Sequence, residues 1–452
     1  MAALLSSVCM EECDGRYTRA EGPVVIGLRR RVRSIALFEQ LGPGLVTGAA
    51  DDDPSGIATY SQTGAKFGFG LLWTLLLTYP LMTAIQLVSG QIGRVTGKGL
   101  AYNMGAVIPR SAVTGLVVLL FIANTINIGA DLAAMGAAAR LLVGGGAHLF
   151  TLGFAVVSLL LQMFVPYKRY VKILKWLTLV LFAYVAVVLV VRLDWAQVGR
   201  GLIMPDLSIV TSKDAITTIV AVFGTTISPY LFFWQTAQEV EEVEHDAAAK
   251  PLKEAPDQAE REMGRIRLDT FFGMAVSNLI ALAIMIATAA TLHANGKTEI
   301  ATAADAAKAL EPAAGKFAFL LFSLGIIGTG LLSVPVLAGS AAYAVGETRG
   351  WTCGLDNKPW EAVGFYAVIG AATLLGVGID ALNIDPMKAL FWSAVVNGVI
   401  AVPMMVVMML VVSRRDQMGR FIAGPALKSF GWLATAVMAA ATLAMFVAMA
   451  SA

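Results

Sequence analysis

Eleven stretches of this chain are each apolar for long enough to cross a bilayer. They centre on 40–66, 71–93, 112–138, 147–165, 170–191, 214–238, 268–293, 316–345, 360–378, 387–412 and 427–450. A hydrocarbon core about 30 Å thick needs roughly 20 apolar residues of helix to span it. The composition agrees: of 452 residues 57% are hydrophobic and 14% charged, and mean hydropathy is +0.73. An average soluble domain carries about 25% charged residues. A soluble enzyme and a disordered protein are thereby excluded. Cys9, Cys13 and Cys353 are too scattered for a disulfide scaffold or a metal cluster. A net charge of +2 leaves no footprint for nucleic acid. The expected class is an all-α polytopic membrane protein whose solvent is the lipid bilayer.

Orientation follows from lysine and arginine. With the N-terminus inside, 24 of the 33 basic residues fall on cytoplasmic segments. The positive-inside rule then places the N-terminus in the cytoplasm and, after eleven spans, the C-terminus outside a plasma or inner membrane. Residues 1–38 read as a disordered cytoplasmic tail. They do not read as a secretory signal, because the arginines at 29–33 follow the weak apolar stretch. Residues 39–452 read as a single transmembrane domain. The mixed-sign stretch 239–269 reads as a solvated cytoplasmic connector.

Two of the spans are interrupted. The first reads LGPGLVTGAADDDPSGIATYSQTGAKFGFG (41–70), with Asp51, Asp52, Asp53, Pro54, Ser55 and Gly56 at its middle. Proline removes a helical hydrogen bond and clashes with the preceding turn. Asp53 can cap a second half-helix that has Pro54 at its first position. The expectation is helix, a short unwound stretch at about 51–56, and helix again. The sixth span reads AITTIVAVFGTTISPYLFFWQTAQEVEE (215–242) and breaks at Gly224-Thr225-Thr226-Ile227-Ser228-Pro229. Interruptions five spans apart imply two five-helix repeats, about 39–192 and 213–413, with an extra helix at 427–450. An odd number of spans per repeat inverts their topology. Discontinuous helices at a repeat interface mark the binding site of a secondary transporter.

An acid inside a membrane span is a functional candidate by default. Asp53, beside freed backbone carbonyls, offers hard oxygen to a cation. Asp51 or Asp52 is expected to face the vestibule and concentrate cations there. In the third span Asn124, Asn127 and Asp131 follow i, i+3, i+7 spacing and so share one helix face. Asn397 lies near the centre of the tenth span, where it can hold an ion's water. Thr329, Ser333 and Pro335 in the eighth span are expected to serve packing.

The run GPGLVTGAADDDPSGIATYSQTGAKFGFGLLW resembles the first span of the Nramp family of divalent-metal transporters. VTGKGL (95–100) and GTTISPY in the sixth span are also similar to that family. The resemblance implies a LeuT-type fold. Asp53 matches the family's metal-binding aspartate, and the carbonyls of Ala50 and Thr225 match two backbone ligands. Gly56 stands where the family has its metal-binding asparagine, Ser228 where it has methionine, and Tyr230 where a histidine follows the proline. A thioether favours softer transition metals, so its loss leaves hard oxygen. Glycine and serine in place of larger residues should also widen the site. The pattern is most like the Nramp-related magnesium transporters, which implies partly hydrated Mg²⁺ as substrate with Mn²⁺ second, and no permanently bound cofactor.

Asp131 matches a proton-pathway aspartate of the family. The family's acids on either side are replaced by Asn124 and Ala134, and asparagine does not titrate. The expectation is therefore uptake with weak or no proton coupling, by a monomer. The alternatives are a proton-coupled Mn²⁺ or Fe²⁺ symporter, a sodium-coupled amino-acid carrier, and a channel or metal sensor. Three acids at the break favour a cation over an amino-acid carboxylate. The repeat pattern and the lack of a soluble sensing domain disfavour the last.

Overall fold

Prolines, glycines and small polar residues decide where the membrane helices start, stop and break. The computed structural model describes residues 48, 50–165, 179–246, 248–380, 382 and 384–451. The expected tail, most of the first half of span one and the start of span five lie outside them. The described residues belong to one compact unit, Gly42–Ala452.

The principal helices are α1 (Pro54–Phe67), α2 (Trp73–Thr96), α3 (Leu100–Gly105), α4 (Arg110–Val143), α5 (Ala147–Phe164), α6 (Phe182–Val190) and α7 (Lys213–Thr226). They continue as α8 (Pro229–His245), α9 (Ala259–Thr291), α10 (Ala318–Arg349), α11 (Val363–Asp380), α12 (Pro386–Ser413) and α13 (Pro425–Ala450). Counting α7 and α8 as two halves of one span, nine segments among the described residues are long and apolar enough to cross a membrane. α1 and α6 are the main described parts of the two other expected spans.

Both breaks are narrower than expected. In span one Asp53 is the N-cap and Pro54 the first helical residue, so 54–56 are already helical. In span six α7 runs through Thr226, leaving only Ile227 and Ser228 between the half-helices. Proline needs only its own turn and the residue before it. Small residues then let the other helices close around the breaks. A Cβ on Gly224 would overlap the Ala394 carbonyl of α12, so α7 and α12 touch backbone to backbone.

The stretch 239–269 is a connector only at 246–258. Its first seven residues complete α8 and its last eleven begin α9. Glu239 is fully buried and paired with Arg265 at 2.5 Å. Arg265 also reaches Glu242 at 3.0 Å and Glu262 at 3.1 Å, and Glu262 reaches Arg94 of α2 at 3.1 Å. Mixed sign here means a buried ion-pair network joining α2, α8 and α9. Losing one partner of a buried pair costs about 3–5 kcal/mol, because the other charge is stranded. Arg265→Ala is therefore expected to lower the thermal midpoint of the detergent-purified protein strongly. Lys66→Ala, which removes only the exposed Lys66–Asp214 pair, should barely move it. Equal shifts in the two melts would contradict this reading.

Beyond the network, Cys353 is a free thiol in the link between α10 and α11. Burial pushes it up to about 12, so it is a poor nucleophile.

Candidate functional site

The site is built around the cap of α1. One carboxylate oxygen of Asp53 accepts the Gly56 N–H and the Ser55 hydroxyl, each at 2.7 Å. The other accepts the side-chain amide of Asn127, on α4, at 3.0 Å. Asp53 is 1% exposed. Every donor to it is neutral, so these contacts orient the carboxylate without supplying a positive charge.

Asp51 and Asp52 do not face a vestibule. They are 0% and 3% exposed, and both lie within reach of the Ser277 hydroxyl of α9, at 2.7 and 3.1 Å. Gly48 explains the placement: a Cβ there would sit 2.5 Å from the Gly273 carbonyl oxygen. That close approach carries the following turn of span one against α9.

Asp131 is fully buried on α4 one turn beyond Asn127, and accepts the Ser333 hydroxyl at 2.9 Å. Ser333 therefore does more than pack. Among the described residues no lysine or arginine pairs with Asp51, Asp52, Asp53 or Asp131. Four buried carboxyl groups without a basic partner call for protons or a cation, since buried charge must be compensated.

The carbonyls expected to bind the ion have hydroxyl partners. Tyr230 donates to Ala50 at 3.1 Å, so α8 reaches back to span one. The Ser228 hydroxyl lies 2.8 Å from the Gly224 carbonyl and 2.9 Å from that of Thr225, filling acceptors freed by the break. A carbonyl oxygen has two lone pairs, so one remains for a further partner. Gly56 does not open the site as widely as its size suggests. A Cβ at 56 would lie 3.1 Å from the Thr225 hydroxyl and 3.3 Å from the Tyr60 ring. Those two side chains occupy the room.

The polar stripe of α4 divides. Asn127 joins the site through Asp53, whereas Asn124 turns to the Leu337 carbonyl of α10 at 2.8 Å. Asn397 is 1% exposed, and neither its amide nitrogen nor its amide oxygen has a partner among the described residues. It lies on α12 one turn beyond Ser393, whose hydroxyl reaches Asn127 at 2.6 Å. Ser277 and Ser393 carried no sequence signal, and Ser333 was read only as packing. Serines are common in membrane helices, and only the partner across the interface distinguishes these three.

Among the described residues no three His, Cys, Asp or Glu side chains converge as a metal cage. The donors here are carboxylate, carbonyl, hydroxyl and amide oxygens drawn from several helices. Such a set suits a hard cation that must be released as well as bound.

Comparison with known proteins agrees with this architecture. Residues 44–448 match the family described as natural resistance-associated macrophage protein-like, Nramp. The divalent metal cation transporter MntH of Yersinia enterocolitica is 32% identical over 313 residues, covering 66% of this chain and 69% of its own. The protein of the same name from Pectobacterium carotovorum is 29% identical over 321 residues, covering 69% and 73%. Among solved structures, a manganese transporter of Eremococcus coleocola superposes with TM-score 0.73 at 17% identity, over 91% of this chain and 86% of that one. Mhp1, a nucleobase-cation-symport-1 family transporter, superposes in its closed conformation with TM-score 0.54 at 13% identity, over 91% and 93%. The shared architecture is the LeuT-type fold, with its first and sixth spans broken.

Proposed function

The chain belongs to the Nramp family, and on that premise we propose that it is a secondary transporter carrying divalent metal cations by alternating access. The observation that carries this reading is the set of four buried carboxyl groups with no basic partner among the described residues, three of them at the span-one break. Asp53 is the charged ligand. The carbonyls of Ala50 and Thr225 and the hydroxyl of Ser228 supply neutral oxygen, and Asn397 holds a water of the incoming ion. Gly56 leaves its position to Thr225 and Tyr60. Asp51, Asp52, Tyr230, Asn127 and Asp131 surround these ligands, and Asn124 supports α4 from α10.

The substrate is Mg²⁺, with Mn²⁺ second. No soft donor is present at the break of span six, where Ser228 stands. Mg²⁺ dehydrates reluctantly and keeps several waters, which suits a site with an unpartnered amide and few charged ligands. Transport is driven by membrane potential, because Asn124 and Ala134 cannot relay a proton. We place the N-terminus in the cytoplasm on the distribution of lysine and arginine, and read the transporter as a monomer without a resident cofactor.

The second reading is a proton-coupled Mn²⁺ symporter. It is favoured by the manganese transporter among the structural neighbours and by Asp131, which keeps a titratable group one turn from Asn127. Uptake into proteoliposomes of Mg²⁺, Mn²⁺ and Ca²⁺, with internal pH recorded, separates the two. Mg²⁺ entry without acidification is expected. Mn²⁺ entry with acidification, and no Mg²⁺ entry, would overturn the magnesium reading.

A further inference from the structure

The donor that faces the second oxygen of Asp53 is itself held by a residue on a third helix. Asn127 reaches Asp53 from α4 at 3.0 Å. A primary amide can present either its oxygen or its NH₂ in one place, and only the NH₂ is compatible with a carboxylate. The acceptor-only carboxylate selects the NH₂, and the contact on the far side of the amide holds it in that orientation. There the Ser393 hydroxyl of α12 lies 2.6 Å from the Asn127 oxygen. Ser393, Asn127 and Asp53 are each 1% exposed or less, so water does not compete for these positions.

We propose that Ser393 is a positioning residue for the transported cation: by donating to the Asn127 oxygen it holds the amide NH₂ toward Asp53 and fixes the carboxylate face offered to the ion. The proposal rests on the reading of Asp53 as the ion's charged ligand. Outer contacts of this kind orient ligands at metal sites, and their loss typically costs 10–100-fold in metal affinity.

The arrangement also ties the ligand to a conformational element. The Ser393 hydroxyl carries one hydrogen and has two acceptors, Asn127 and the Leu390 carbonyl of its own helix at 2.8 Å. Movement of α12 away from α4 leaves Leu390 as the sole acceptor. Asn127 is then free to rotate, and Asp53 loses a fixed donor. Cation affinity is thereby linked to the distance between α4 and α12, which is what a carrier needs in order to bind on one side and release on the other.

The test measures KM and Vmax for Mg²⁺ and Mn²⁺ uptake in proteoliposomes reconstituted with Ser393→Ala, Ser393→Cys, Ser393→Thr, Asn127→Ala and the Ser393→Ala/Asn127→Ala double variant. Ser393→Ala and Asn127→Ala are each expected to raise KM about tenfold with Vmax within about twofold. The double variant should be no worse than Asn127→Ala alone, because serine acts only through the amide. Threonine, which keeps the hydroxyl, should restore the wild-type KM. The near-isosteric cysteine, a weak donor, should raise it even if alanine compromises folding. An unchanged KM in both Ser393→Ala and Ser393→Cys would overturn the proposal, and so would multiplicative effects in the double variant. Asp53→Ala run alongside separates the two levels. If it abolishes uptake while Ser393 variants stay normal, the positioning role alone fails. If it transports normally, the site itself is wrongly placed.

Discussion

Proteoliposomes carrying Asp53→Ala are expected to take up neither Mg²⁺ nor Mn²⁺ above the leak of empty vesicles. Two roles converge on this carboxylate, and magnitudes separate them. As the cap of α1 it accepts the Gly56 N–H, and losing a cap costs typically about 1 kcal/mol. That weakens a large membrane protein slightly and does not stop transport. As the charged ligand, its loss leaves a cation facing only neutral oxygen in a water-poor interior, where bare charge is far more costly. Asp53→Asn is the discriminating variant. Asparagine caps helices as well as aspartate does, so folding should survive while uptake is still lost. Wild-type uptake by Asp53→Asn would reduce Asp53 to a cap and remove the central ligand from the proposed site.

How much of this could be read in the chain depends on whether a signal was local. Asp53-Pro54 was legible because capping and proline chemistry act within one turn, and the same local rule located the break before Pro229. The widths of the breaks were not legible. They depend on α9 and α12 packing against Gly48 and Gly224, which are far away in sequence. The fate of Asp51 and Asp52 was misjudged for the same reason: the residue that takes them inward is Ser277, more than 220 positions away. Charges at 239–269 looked solvated because sign alternation resembles a surface, yet Glu239 and Arg265 pair across two helices. A polar residue that stands alone on its helix and acts by pairing across an interface leaves no periodic trace there. For that reason Asn127 was visible as part of a stripe while Ser393, its partner, was not.

Ser228→Met is the substitution expected to change selectivity most. The serine hydroxyl now spends its hydrogen on the Gly224 or Thr225 carbonyl, leaving lone pairs that favour a hard ion. Methionine removes that hydrogen bond and brings a thioether, which binds Mn²⁺ and softer metals in preference to Mg²⁺. It also leaves the Thr225 carbonyl freer to turn toward the ion. In paired uptake assays the ratio of Mn²⁺ to Mg²⁺ transport efficiency should rise by about tenfold, equivalent to about 1.4 kcal/mol. The companion change Gly56→Asn should not produce the same shift alone. Its Cβ would be 3.1 Å from the Thr225 hydroxyl, so the asparagine fits only if Thr225 moves. Gly56→Asn is expected to lower uptake, and Gly56→Asn/Thr225→Ala, which supplies that space, to recover it. If Ser228→Met leaves the metal ratio unchanged, Ser228 serves the backbone of the break and not the ion, and selectivity must arise at Asp53 and the surrounding neutral oxygens.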